Sequence, residues 1–452
     1  MTTSPEAKMK KALIIARAFP PFRPVGYSIR VVKFIKYLPT LGWLPFVLTV
    51  DGKREYESLR KMGSEALLSE IPSEVRICRS TPGEPSLEFL EKEIRFSKKN
   101  RLAAFIVKLV SGARRWVFRN LLPDRQVTWL PFAMQMGLQI VKKEGIDVIF
   151  ATCPPFSDAL IGALLKLLTG KPLVLDFRDD WIETPWYDSK SKISRAIERG
   201  MEGWAVRTAH KVILVTEWSQ KAFIRRYPDQ PKEKFLFLPN GCDLDDIVGL
   251  NSTQVVPGNA KFTILHAGSL NDAKLWARSP STLFQAISNI LKQQPEMAGK
   301  LEMVFAGDFT KRHRELAEEM GLSNIVKELG HLPHTDVLRL IKSADLLLAI
   351  NYEGFSTLIP GKIYEYWAVG GPPILFLSCR GAAQELIEKK ELGITVPPDD
   401  VQAIEHAIST VYNRSVTGNP IQISAAGVEE YDRKTLTGTL AQVLSSTLPD
   451  KK

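Results

Sequence analysis

The sequence predicts an α/β protein of two doubly wound domains in tandem, and three observations carry that reading. Short apolar runs alternate with amphipathic helical stretches along most of the chain. A polar stretch broken by glycine and proline, residues 244–261, divides them into two series. At 452 residues the chain is long for one domain and comfortable for two, each able to bury its own core.

In the first series, strands are expected at residues 12–16, 45–50, 148–151, 172–176, 212–215 and 235–238. Each is a near-continuous apolar run, the pattern of a parallel strand covered on both faces. Helices fall between them, including 28–41 and 193–208. The second series has strands at 262–267, 302–306, 346–348 and 374–377, and helices at 280–293, 312–320, 335–343 and 361–369. This sets a first domain over 1–243, a linker over 244–261 and a second domain over 262–430. A tail over 431–452 has a helical pattern at 436–448 that would cross back to the first domain. Doubly wound sheets bind ligands at the carboxyl ends of their strands, so the site belongs in the interdomain cleft.

Composition narrows the class. With 44% hydrophobic and 24% charged residues and no long uninterrupted apolar run, no transmembrane helix is expected. The first eleven residues are polar and charged and lack a signal-peptide core, which makes a cytoplasmic protein the expectation. Cys78, Cys153, Cys242 and Cys379 lie too far apart for a zinc or disulfide framework. His331 and His334 flank Pro333 and read as a solvated loop pair, so no metal site is expected.

The net charge of +10 suggests an anionic partner, and residues 92–119 hold nine basic side chains against Glu93 alone. On a helix from Arg101, residues Leu102, Phe105, Ile106, Leu109 and Trp116 share one face, with Arg101, Lys108 and Arg115 beside it. This fits either an anionic membrane surface or a domain helix with a solvated basic edge. No nucleic-acid reader motif accompanies it, so no nucleic-acid partner is expected.

Several strand ends carry polar motifs. The first leads into Phe19-Pro20-Pro21-Phe22-Arg23-Pro24-Val25-Gly26-Tyr27-Ser28, where Gly26 permits close backbone approach and Ser28 can cap the following helix. It reads equally as a binding loop or a structural turn. Ala151-Thr152-Cys153-Pro154-Pro155-Phe156-Ser157 follows another strand. In Asp176-Phe177-Arg178-Asp179-Asp180-Trp181, four charged residues at a strand end cost desolvation unless they pair or face a cleft. Either a reactive site or an internal Arg–Asp bridge satisfies that demand. In the second domain, Gly268 and Gly307 end two strands. The stretch Pro360-Gly361-Lys362-Ile363-Tyr364-Glu365-Tyr366-Trp367 then opens a helix whose amino terminus suits a phosphate. Glu365, one turn in, suits a ribose.

Taken in order, from Ala12 to about Asp400, these stretches resemble glycosyltransferase family 4 (group 1), and Asp176 to Trp181 resembles the Asp-Phe-Arg-Asp-x-Trp signature of one subgroup. The resemblance implies the GT-B fold, two Rossmann-like domains facing a cleft with a C-terminal helix crossing back. It also implies a retaining, metal-independent transfer from a nucleotide-diphosphate sugar to a hydroxyl acceptor, with no cofactor. Bacterial relatives build cell-surface polysaccharide or glycolipid, often on a glycan or lipid-linked acceptor at the inner face of the plasma membrane.

Carried onto this sequence, the resemblance implies a reacting end at Arg178, Asp176 and Asp179, with Arg178 where many members have a histidine. Donor contacts fall to Gly26, Gly268, Gly307, Gly361, Lys362 and Glu365. Ser269 holds the usual arginine position, which leaves Lys274 and Arg278 to supply charge for the diphosphate. Pro154, Pro155 and Phe156 line the acceptor side. Two departures stand out: Val25 replaces the first of two adjacent glycines, and Thr357 replaces the first of two glutamates seven residues apart. Glu353 lies four residues too early to substitute for it. Two rivals share the fold: a nucleotide-sugar 2-epimerase and a catalytically silent nucleotide-binding scaffold.

Overall fold

The computed structural model describes residues 9–21, 25–51, 66–81, 121–188, 190–248, 250, 261–270, 279–351 and 355–449. The apolar runs become two all-parallel sheets. The first contains β1 (Lys10–Ile15), β2 (Trp43–Val50), β3 (Arg76–Ser80), β4 (Val148–Cys153), β5 (Leu173–Phe177), β6 (Lys211–Leu214) and β7 (Phe235–Phe237) in the order β3-β2-β1-β4-β5-β6-β7. The second contains β8 (Phe262–Ala267), β9 (Leu301–Ala306), β10 (Val326–Gly330), β11 (Leu346–Ile350), β12 (Ile374–Leu377) and β13 (Gly393–Val396) in the order β10-β9-β8-β11-β12-β13. Strand order reverses between β1 and β4 and between β8 and β11, the crevices where doubly wound sheets take ligands.

The two-domain α/β expectation holds, and the expected strands appear within a few residues of their places. Three strands escaped the sequence reading: β3, β10 and β13. All three are edge strands, and none is fully buried along its length. An edge strand needs no continuous apolar run, so Arg76–Ser80 and Val326–Gly330 carry charges that hid them.

The chain crosses between the domains twice, and the crossings lie against each other. The Cys242 N–H donates to the Tyr431 carbonyl at 3.2 Å, and the Arg433 N–H donates to the Cys242 carbonyl at 2.8 Å. A Cβ on Gly241 would fall 1.9 Å from that Tyr431 oxygen, so only glycine fits there. The Arg433–Ser446 helix, capped by Asp432, packs Leu436, Leu440 and Leu444 into the core that holds Phe34 and Leu38 of the first domain. The basic segment 92–119, most of the stretch 244–261 beyond Val248, and Lys274, Arg278 and Glu353 lie outside the described residues.

Candidate active site

Two of the expected site glycines end strands at positive φ. Gly268 follows β8 at φ +121°, and a Cβ there would come within 2.8 Å of Lys362 Nζ. Gly307 follows β9 at φ +137°, and its Cβ would lie 2.5 Å from the Gly268 carbonyl oxygen. Positive φ strains a side chain at both positions, and at Gly307 the backbone contact excludes one outright, whereas the flexible Lys362 chain beside Gly268 can give way. Gly361 is exposed at the head of the Lys362–Val369 helix with an ordinary helical φ of −56°, so its role there is not conformational.

Lys362 Nζ stands 3.1 Å from His266 Nε2. His266 Nδ1 lies 3.1 Å from the Leu348 carbonyl, which requires the proton on Nδ1 and leaves Nε2 to accept from the ammonium. The Tyr366 hydroxyl accepts from the Ala267 N–H at 2.9 Å and ties the helix to the end of β8. Glu365 Oε1 meets His334 Nε2 at 3.2 Å. That hydrogen bond raises the His334 pKa against the cost of burial, with help from the charges of Glu365 and Asp246.

Both histidines are exposed, as expected, but only His331 lies in the loop. His334 opens the His334–Ser343 helix, and His331 Nε2 pairs with Asp308 Oδ1 at 2.8 Å. The Ser269 hydroxyl donates to Asp308 Oδ2 at 2.6 Å. Burial opposes ionisation of Asp308, but the bonds from Ser269 and His331 outweigh it and hold the pKa below its usual value. Ser269, at the usual arginine position, therefore orients a carboxylate.

At the other side of the cleft the Asp176–Trp181 loop divides its residues among separate tasks. Asp176 is fully buried and does not serve Arg178. It accepts from Arg30 Nη2 at 2.9 Å, Arg30 Nε at 3.2 Å and the Thr152 hydroxyl at 2.7 Å. Arg30 also donates to the carbonyls of Leu238 at 3.0 Å and Pro239 at 2.6 Å, locking the first helix onto the ends of β5 and β7. Asp176 is thus held inside the Arg30 network, away from the reacting role that the resemblance implied for it.

Arg178 Nε donates to the Cys153 carbonyl at 3.2 Å, and its Nη2 to the Pro154 carbonyl. It grips the Cys153–Pro155 loop rather than forming an internal bridge to Asp176. Burial pushes Asp179 up to about 6, with Arg178 opposing the rise and Asp180 adding to it. Asp180 accepts from the Ser219 hydroxyl at 2.8 Å.

Pro154 and Pro155 are half-buried, whereas Phe156 is buried and stacks on Trp181 with ring centroids 4.9 Å apart. Phe156 therefore supports the Pro154–Pro155 loop from below and does not line the surface expected of it. Gly26 is exposed, and a Cβ there would meet nothing within 4 Å, so protein packing does not require a glycine. Ser28 does not cap the helix, which already begins at Val25, and its buried hydroxyl has no partner among the described residues.

Residues that the motifs did not point to complete the cleft. A pocket at the hinge is lined by Lys33, Cys242, Asp246, His334, Glu365 and Arg433, among others. Arg433 is 3% exposed, and its Nε and Nη1 have no hydrogen-bond partner. Burial and the nearby Arg30 lower its pKa to about 10. Glu70, Asp243 and Asp246 converge as metal ligands would, but Lys33 Nζ lies 2.5, 2.7 and 3.0 Å from their oxygens. The ammonium thus occupies the centre of that acidic trio. Burial opposes the Asp243 charge, yet its bonds from Lys33 and Lys36 hold the pKa near 2. Thr357, in place of the missing glutamate, reaches the first domain: its carbonyl accepts from the Thr216 hydroxyl at 2.8 Å.

Both halves of the chain match glycosyltransferase family models. Residues 73–246 match Glycosyltransferase Family 4, and residues 261–414 match Glycosyl transferases group 1. No curated protein sequence matches the chain significantly. Among solved structures, sucrose-phosphate synthase from Thermosynechococcus elongatus is 16% identical with a TM-score of 0.63, covering 97% of this chain and 98% of that one. A putative UDP-N-acetylglucosamine 2-epimerase from Listeria monocytogenes is 12% identical with a TM-score of 0.58, over 97% and 96%. A lipopolysaccharide outer core galactosyltransferase in its apo form is 14% identical with a TM-score of 0.56, over 97% and 100%. At these identities the likeness shows a shared fold. The two family matches fall one on each domain of a GT-B frame and support a group 1 glycosyltransferase.

Proposed function

We propose that the protein transfers a sugar from a nucleotide-diphosphate donor to a hydroxyl acceptor, with retention of configuration and without a metal. One arrangement carries the reading: Lys362 and Glu365 share a helix that opens opposite Gly268 and Gly307, both bare of side chain and at positive φ. The leaving diphosphate would lie against this bare backbone, its charge met by Lys362 and the helix amino terminus. Lys274 and Arg278 are proposed to add to that charge, and Glu365 to accept from the ribose hydroxyls. Asp308, oriented by Ser269 and His331, fits the base side.

Across the cleft, Arg178 and Asp179 are assigned to the reacting end and Pro154 and Pro155 to the acceptor mouth. Closure of the domains would shield the donor from water. A glycan or lipid-linked acceptor in bacterial cell-surface polysaccharide or glycolipid synthesis, at the inner face of the plasma membrane, fits this arrangement. Residues 92–119 are a proposed contact with that surface.

The test is thermal stabilisation by a panel of nucleotide diphosphates and their sugar conjugates, with Glu365→Ala as control. One nucleotide should raise the melting temperature of the parent protein and leave the variant unmoved. No response from the folded parent to any nucleotide would overturn the reading. Thr357 in place of the first glutamate favours a second reading, a nucleotide-binding protein without turnover. Donor binding without transfer to any acceptor would select it, and conversion of the donor sugar with no acceptor present would select a 2-epimerase.

A further inference from the structure

The Lys192–Thr208 helix carries an outward face that its own fold leaves uncovered. Ile193 is 74% exposed, Ile197 44% and Trp204 36%. At about 100° per residue these three and Gly200 fall in one stripe, opposite the face that buries Glu198, Glu202 and Val206. The adjacent Ser157–Thr169 helix is bound to it where Lys166 donates to the Thr208 carbonyl, and exposes Leu167 and Leu168 beyond that contact. Scattered exposed apolar residues are ordinary, but three aligned along one helix face form a surface.

Its charges identify the occupant. Both glutamates of the helix turn inward: Glu198 binds Trp181 and Lys190, and Glu202 binds Arg226 and Tyr227. The charged side chains left outside are Lys192, Arg195, Arg199 and Arg207. Arg195 and Arg207 pair with Asp188 and Asp229, while Lys192 and Arg199 have no ion-pair partner among the described residues. A second copy of this face would meet like charge. The basic segment 92–119 would do the same, so neither is a suitable cover. An apolar stripe with a tryptophan and a cationic flank fits an anionic bilayer, apolar side chains among the acyl chains and cations at the headgroups.

The helix also begins at the right end of the sheet. Phe156 stacks on Trp181, whose indole N–H donates to Glu198 Oε2 at 3.1 Å. The Ile193 end of the stripe lies at the carboxyl end of the sheet, the end that also carries the Pro154–Pro155 loop, and the helix closes at the opposite end, where the His210 N–H reaches the Leu173 carbonyl at 2.8 Å. We propose that this face of the Lys192–Thr208 helix docks the protein on an anionic membrane surface, with the Pro154–Pro155 loop at the same end of the sheet. The proposal rests on the transferase reading only for the purpose it gives the face.

The test is cosedimentation of the full chain with vesicles of phosphatidylcholine alone or with about a third phosphatidylglycerol, without donor or acceptor. The parent should bind the anionic vesicles at least about tenfold more tightly than the neutral ones. Ile193→Glu with Ile197→Glu should cut that binding by about tenfold or more, with an unchanged melting temperature and an unchanged response to nucleotide. Quenching of tryptophan fluorescence by brominated lipid should fall in Trp204→Phe. Equal binding of the double variant, equal binding to neutral vesicles, or self-association of the parent that the double variant abolishes would each overturn the proposal. Because nucleotide response is read separately, the face can fail while the donor site stands, and the reverse.

Discussion

Asp179 and His334 show how single environments set testable behaviour. Burial lifts Asp179 to about 6, above the value of about 3.9 for an unfolded aspartate. A raised carboxyl favours the fold fully below the unfolded value, and that contribution is lost as pH rises through 6. At neutral pH the ionised group therefore destabilises, by at most about 3 kcal/mol for a shift of this size. Asp179→Asn should melt several degrees higher than the parent at pH 7.5, match it at pH 4, and transfer sugar far more slowly. An equal gain at both pH values would remove the electrostatic explanation. His334 is raised by its bond to Glu365, so its contribution is fully present below about 6.5 and lost as pH rises through its folded pKa. The stability gap between parent and His334→Gln should shrink between pH 6 and pH 8.5, as melting curves would record. A constant gap would mean that packing, not charge, holds His334.

The elements hold the cleft open by what they lack. Gly307 has both a positive φ and a carbonyl 2.5 Å from its absent Cβ, whereas Gly26 has open space. Gly307→Ala should cost about 1–3 kcal/mol in chemical denaturation and weaken nucleotide binding. Gly26→Ala should stay within about 0.5 kcal/mol of the parent. If the two variants are equally stable, the bare backbone at β9 has no steric cause. The same contrast explains what was legible. Buried central strands announced themselves as apolar runs, and Gly361-Lys362 to Glu365 as a helix start. The edge strands β3, β10 and β13 did not, because a half-solvated edge tolerates the charges of Arg76, Lys327 and Glu328.

At the scale of the whole molecule, side chains join the domains outside the paired crossings. Thr216 reaches the Thr357 carbonyl, and the Trp218 indole donates to Glu385 Oε2 at 2.6 Å in an exposed position. Trp218→Phe keeps the ring and removes that donor. Solution scattering should show a larger radius of gyration for the variant, and donor hydrolysis without acceptor should rise as water enters the cleft. An unchanged radius would place closure in the packed crossings at Cys242 and Asp432 instead.

By itself the sequence determined the fold, because burial on both faces writes itself into apolar periodicity and strand ends into glycine, proline and charge. It also marked Gly268, Gly307, Lys362 and Glu365, whose types are set by local backbone and charge. Only the tertiary structure decided partners. Asp176 belongs to Arg30, 146 residues away in sequence, and not to Arg178 two residues on. His334 belongs to Glu365, Lys33 fills an acidic trio, and Phe156 turns into the core. Pairing depends on which strand ends the topology brings together, and spacing along the chain carries no record of that distance.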